Sequence, residues 1–168
     1  MRKGFIPLLL ALCLSACGFH LRGMIEVPSW LSDIAITSIG VEDVELVSLL
    51  KSQLKSQKIR VQPDLINASY RLIINRIDFQ QRIISVGAST NPRQYQLILA
   101  IEFMVQSKKG GIISPLRQVV VTRQLTVNND RILGSNEEEH ILMNEMRQDA
   151  IMQICSILFK ATPIHHAN

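Results

Sequence analysis

From Tyr95 to Val105 the chain alternates. Tyr95, Leu97, Leu99, Ile101, Phe103 and Val105 fall on one side, and Gln94, Gln96 and Glu102 on the other. A period of two predicts a strand with one face in a core and the other in a polar setting. Lys108-Lys109-Gly110-Gly111 is a hairpin connector, and LRQVVVTRQLTV, residues 116–127, predicts the answering strand. Upstream, Tyr70 to Ile84 is an isoleucine-rich run with arginines at 71, 76 and 82, a long strand whose apolar phase is imperfect. VGASTNP, residues 86–92, supplies turn chemistry between the two long strands. DIAITSI, residues 33–39, predicts an earlier strand broken by Gly40, and KIRV, residues 58–61, a short one closed by Pro63-Asp64.

Two stretches follow the helical period instead. In VEDVELVSLLKSQLKSQ, residues 41–57, the residues Val44, Val47, Leu50 and Leu54 share a face. Glu42, Asp43 and Glu45 stand early while Lys51, Lys55 and Lys58 follow late, the order the helix dipole favours. In residues 134–160, Met143, Met146, Ala150, Ile154 and Ile157 form an apolar stripe, Ser135 and Glu138 have capping-box spacing, and Pro163 stops the helix. The order is strand, helix, three or four strands in a meander, helix. Two one-sided helices and a one-sided sheet bury their apolar faces against each other. The expected fold is α+β: a two-layer sandwich with two helices on a mixed or antiparallel sheet of about four strands, over residues 33–162.

The first sixteen residues stand apart. Arg2 and Lys3 are basic, Phe5 to Leu14 carries no charge, and Ser15 and Ala16 are small. This is the layout of a secretory signal, too short for a permanent membrane span. The tetrad Leu14-Ser15-Ala16-Cys17 resembles the bacterial lipobox, which makes Cys17 the lipidation site and first residue of the mature chain. A diacylglycerol and an N-acyl chain on Cys17 would give stable anchoring, at about 0.8 kcal/mol per buried CH₂. Gly18 rather than Asp after the cysteine resembles the sorting signal for the outer membrane. Residues 17–32 read as an irregular tether with Trp30 as an anchor, and residues 163–168 as a polar tail. Cys13 leaves with the signal, so Cys155 stands alone in an apolar run and is expected to pack as a small hydrophobe.

The 168-residue precursor has a net charge of +4. Residues 58–131 hold eleven Lys/Arg against four acids, a net of +7, while the flanking parts are acidic. For an exported chain with few aromatics among its arginines, an anionic lipid or sugar phosphate is a more natural partner than nucleic acid, and the alternative is a solvated sheet face whose arginines balance the acidic helices. No nucleophile elbow, zincin motif, phosphate loop or dinucleotide fingerprint occurs. Glu138, Glu139 and His140 are adjacent on a helix and point apart. Asp78 is read as an ion pair with Arg76. The chain is therefore expected to be no enzyme, with no metal and no cofactor besides its own lipid.

CGFHLRG, Cys17 to Gly23, resembles the mature start of the LptE (RlpB) family of lipopolysaccharide-assembly lipoproteins. Pro28, the first strand and helix, QYQLILAIEF at 94–103 and EEEHILMNEMRQDAIMQI at 137–154 resemble that family too. The resemblance implies two helices against a four-stranded sheet. It implies an outer-membrane lipoprotein facing the periplasm and the barrel lumen, which plugs and helps assemble the β-barrel LptD and helps place lipopolysaccharide in the outer leaflet. It also implies lipopolysaccharide contacts from basic residues on loops at one end. The bases here are displaced from the family's positions. Arg93 lies near the turn before Tyr95, and Arg131 precedes the last helix, whereas Ser135 holds the place of a lysine. Those two arginines are the candidate ligand residues. The other reading is a free, periplasm-facing lipoprotein that carries or senses anionic lipid.

Overall fold

The computed structural model describes residues 27–40, 43–86, 92–127 and 132–161, which form five strands and two helices, with four consecutive strands between the helices. They are β1 (Asp33–Ser38), α1 (Val44–Ser56), β2 (Arg60–Gln62), β3 (Tyr70–Val86), β4 (Pro92–Ser107), β5 (Ile112–Thr126) and α2 (Ile132–Lys160). One mixed sheet holds all five strands, in the order β2-β1-β3-β4-β5. β1 runs parallel to both β2 and β3, while β3, β4 and β5 form an antiparallel meander. A parallel pair needs a crossover, and α1 supplies it between β1 and β2. The sheet has five strands rather than about four because Arg60–Gln62, which overlaps the end of KIRV, pairs with β1 as a three-residue edge, Asp33 opposite Arg60.

Both helices cover one face of this sheet. Leu97, Leu99, Ile101, Phe103 and Val105 of β4 point into the core, with Leu72 and Ile74 of β3 and Val119, Val121 and Leu125 of β5. α2 meets them with Met146, Ala150, Ile151, Ile154, Cys155 and Leu158, and α1 with Leu46, Val47, Leu50 and Leu54. Each such large aliphatic side chain contributes roughly 1.5–3 kcal/mol by leaving water. Met143 and Ile157 flank this core, partly buried.

Val44 does not belong to the α1 stripe; it is 72% exposed and Leu46 is buried in its stead. Val44 lies roughly 100° around the helix from the centre of the face that Leu46, Val47, Leu50 and Leu54 define. α2 also starts earlier than the capping-box spacing implies. It begins at Ile132, which puts Ser135 inside the first turn rather than at the cap. Ile132 and Leu133 extend the helix backwards, with Gly134 inside it at a cost of about 1 kcal/mol relative to alanine.

The imperfect phase of β3 has a local cause. The register pairs Ile74 with Phe103 and then Arg76 with Glu102, so Asn75 is an extra residue. A β-bulge of one residue shifts which side chains face the core. Before it, Leu72 and Ile74 share the inner face with Val105 and Phe103; after it, Ile77, Phe79 and Ile83 stand opposite Ile101, Leu99 and Tyr95.

At the C-terminus of α1 the chain turns on Lys58, whose φ is 64°. The Ile59 N–H donates to the Leu54 carbonyl at 3.1 Å and the Lys58 N–H to the Lys55 carbonyl at 2.9 Å. This pair of bonds is a Schellman motif, with Leu54 and Ile59 both buried as its apolar contact.

Candidate functional site

The meander sorts the connections to two ends. At one end lie the entering segment Val27–Ser32, the turn after α1, the start of β2, the hairpin around Lys108-Lys109-Gly110 and the end of α2. Hydrogen bonds join these pieces. Trp30 donates from Nε1 to the Ala161 carbonyl at 2.9 Å and sits edge-on to Tyr70, ring centroids 4.8 Å apart. Ser69 donates its N–H to Oδ2 of Asp33 at 2.8 Å, and its carbonyl accepts from Lys108 N at 2.8 Å. Trp30 thus fastens the N-terminal segment to the far end of the chain.

At the other end β3 stops at Val86, β4 starts at Pro92, and β5 runs out at Thr126 opposite Gln94. Arg93 occupies the strand position before Gln94, beside the exit of β5. Arg131 lies outside the described residues, in the link between Val127 and Ile132. The strand therefore starts Arg93 at the end where that link departs. Lys108 and Lys109 lie about 50 Å away along the strand, just past the far end of β4. Cys17, residues 1–16 and residues 163–168 also lie outside the described residues.

Among the described residues no helix covers the outer face of the sheet. Along β3 it presents a polar ladder: Arg76 lies 3.7 Å from Oδ1 of Asp78. Gln80 donates to Oδ2 of Asp78 and Arg82 donates to Oε1 of Gln80, each at 2.7 Å. The bulge makes this ladder possible, because it puts Arg76 in register with Glu102 on the same face. Beside the ladder stand Gln96 and Gln124, and Ala100 and Val120, as cross-strand neighbours. Sequence spacing showed the Arg76–Asp78 pair; only the register shows its continuation into a mostly polar surface.

The inner face has an open groove of about 520 Å³ where α2 runs on beyond the start of α1. Phe79, Met143, His140, Glu139, Glu45 and Arg147 line it. Arg147 is already engaged there: its Nε donates to Oδ2 of Asp43 and its guanidinium reaches Oε2 of Glu45, both at 3.0 Å. Arg123 of β5 is likewise ion-paired with Asp149 of α2. Sequence reasoning missed both cross-element pairs, since nothing in the spacing signals them. Among the described residues no three His, Cys, Asp or Glu side chains gather into a metal-binding group.

Among the described residues two titratable groups are perturbed, and both serve the fold. Burial alone would raise the pKa of Asp33, but the Ser69 N–H, the Ser32 hydroxyl and the charge of Arg60 outweigh it and hold it below its ordinary value. Burial pushes the Cys155 thiol up to about 11. A thiol so far from ionising is a packing group, not a nucleophile.

Among the described residues the sheet is covered by helices on one side and mostly polar on the other, the form of a surface-presenting binding module. Comparison with known proteins sharpens that class. The family model LptE, described as lipopolysaccharide-assembly, matches residues 31–156, and the chain belongs to that family. The LPS-assembly lipoprotein LptE of Pectobacterium atrosepticum is 27% identical over 158 residues, covering 92% of this chain and 84% of that one. Its counterpart in Photorhabdus laumondii is 28% identical over 159 residues, covering 92% and 85%. The fold is that of an uncharacterised lipoprotein B from Nitrosomonas europaea, with a TM-score of 0.69, 23% identity and coverage of 83% and 88%. The rare lipoprotein B of Shewanella oneidensis matches with a TM-score of 0.59, 22% identity and coverage of 72% and 91%.

Proposed function

We propose that this chain is an outer-membrane lipoprotein that plugs and helps assemble the β-barrel LptD and so helps place lipopolysaccharide in the outer leaflet. Its role is binding and scaffolding, not catalysis. Residues 1–16 are its leader, residues 17–32 its tether, residues 33–162 the folded domain and residues 163–168 a tail. Cys17 carries the diacylglycerol and N-acyl chains. Among the described residues no helix is long and apolar enough to cross a membrane.

The observation that carries this reading is the family match over residues 31–156. The geometry supports it. An open polar face suits the lumen of a barrel, where side chains are polar and wet. The test is purification of a tagged, lipidated chain from detergent-extracted membranes. An LptD-type barrel should come with it in fixed ratio; recovery of the chain alone, stable and lipid-loaded, would favour a free lipid carrier. Replacing Cys17 by Ala should remove the mass of the acyl chains and block normal processing. Unchanged processing and membrane retention would exclude Cys17 as the anchor.

A further inference from the structure

Six bases gather at the Trp30 end of the domain; elsewhere among the described residues some bases are ion-paired and others, such as Lys51, Lys55 and Arg82, are not. Arg76, Arg123 and Arg147 each have a carboxylate partner. At the Trp30 end, Lys58, Arg60, Lys108, Lys109, Arg117 and Lys160 are all exposed. None of these six takes part in an ion pair among the described residues. They come from five separate places: the turn after α1, the start of β2, the hairpin, β5 and the last residue of α2. The fold gathers them. Arg60 stands in register with Asp33, Asp33 binds Ser69, and Ser69 binds Lys108. Asp33, an acid in their midst, is buried and its carboxylate is occupied by backbone and hydroxyl donors, while Asp64 stands exposed on the loop before β3.

Apolar side chains are interleaved with these bases. Ile112, next to the hairpin, and Ile66, on the loop leading into β3, are 53% and 76% exposed. Arg117 and Lys160 also flank one groove of about 660 Å³, whose wall includes Ile113, Pro115 and Ile157. Cations beside apolar wall and rim are the chemistry that meets a phospholipid headgroup and the first carbons below it.

Val27, ten residues along the chain from Cys17, lies at this same end. Ten residues span at most about 35 Å. An anchor on Cys17 would therefore hold the basic end, not the Arg93 end, within one domain length of the bilayer.

We infer that the end formed by Lys58, Arg60, the Lys108–Lys109 hairpin, Arg117 and Lys160 is a second contact surface, which docks on the anionic phospholipid of the leaflet that holds the anchor. This goes beyond the lipopolysaccharide role and uses other residues. It rests on the proposed anchoring at Cys17 for the direction of approach. The surface holds the basic end at the leaflet that carries the anchor, which leaves the Arg93 end free to enter the barrel. One acyl-bearing residue on a tether leaves orientation free; six bases spread over one end remove that freedom.

The test uses the mature-length chain, residues 17–168, carrying Cys17→Ser so that no acyl chain confuses the result. Sedimentation with phosphatidylcholine vesicles should recover little protein, and vesicles containing phosphatidylglycerol should recover most of it at low salt. Each base near an anionic surface strengthens association about fivefold, from about 1 kcal/mol per residue. Lys108→Gln with Lys109→Gln should therefore weaken binding about 25-fold, as should Arg117→Gln with Lys160→Gln. Arg76→Gln with Arg82→Gln, on the middle of the outer face, should leave it unchanged. Exposed substitutions of this kind should not move Tm, which is checked in the same samples. Equal binding to neutral vesicles, or equal losses from all three pairs, would overturn the proposal. Lipopolysaccharide binding by the same variants separates the two readings. Loss there with Arg93→Glu and Arg131→Glu but intact vesicle binding shows two distinct surfaces, and loss of both together with those variants would overturn the second surface.

Discussion

Asp43 divides its two carboxylate oxygens between two helices: Oδ1 accepts from the Leu46 N–H at 3.0 Å and Oδ2 accepts from Nε of Arg147 at 3.0 Å. The first bond caps α1 and the second ties that cap to the middle of α2. Arg147 is largely buried, with 15% of its side chain exposed, and also reaches Glu45. Removing the cap should cost about 1 kcal/mol. Arg147→Ala should cost about 1–3 kcal/mol, because two carboxylates lose their charged donor. The double variant Asp43→Ala, Arg147→Ala should be less destabilised than the sum of the singles by at least about 0.5 kcal/mol. Urea titrations of the four proteins measure this, and strict additivity would show that the cap and the ion pair act independently.

Asp33 makes stability depend on acid. Burial works against its ionised form, and the donors from Ser69 and Ser32, with Arg60, more than reverse that. A carboxyl held below its ordinary value of 3.8 releases its proton more readily in the folded chain than in the unfolded one. Its contribution is complete above that value and is lost as pH falls through it towards the folded pKa. Asp33→Asn should flatten the acid slope of Tm in that window, while Asp33→Ala should cost about 1–3 kcal/mol at neutral pH by leaving the Ser69 N–H unpaired. An unchanged acid slope in Asp33→Asn would assign the dependence to other carboxylates.

Lys58 holds a left-handed conformation at the Schellman turn, with φ 64°. For a residue with a Cβ this costs roughly 1–2 kcal/mol, and glycine carries no such penalty there. Lys58→Gly should raise stability by about 0.5–1 kcal/mol despite the greater freedom of the unfolded chain. Thermal melts decide it; a drop in Tm would mean that the lysine side chain contributes more than the strain takes away.

Arg93 and Arg131 are proposed to meet the phosphates of lipopolysaccharide. The planar guanidinium forms two parallel bonds to a phosphate, which a single ammonium does not. Arg93→Glu with Arg131→Glu should weaken lipopolysaccharide binding far more than Lys108→Glu with Lys109→Glu, and raised salt should shrink the difference by screening. Equal losses would reduce the effect to general attraction by a basic domain, and no loss would leave both arginines as solvated surface.

The sequence by itself determined the layers. Period-two alternation from Tyr95 to Val105 and the helical stripe through Met146, Ala150 and Ile154 are local signals, because each residue's facing follows from its own element's geometry. The resemblance of CGFHLRG and the later segments pointed to the family that the match over residues 31–156 shows. The tertiary structure decided whatever depends on register and on which ends meet. The bulge at Asn75 re-phases β3, a three-residue β2 becomes a strand only by pairing with β1, and Leu46 displaces Val44 because α2 sets which face of α1 is covered. The basic end is the clearest case. Its six cations are spread from residue 58 to residue 160. They form one surface only because the meander, the crossover and the last helix all return the chain to where Trp30 holds it.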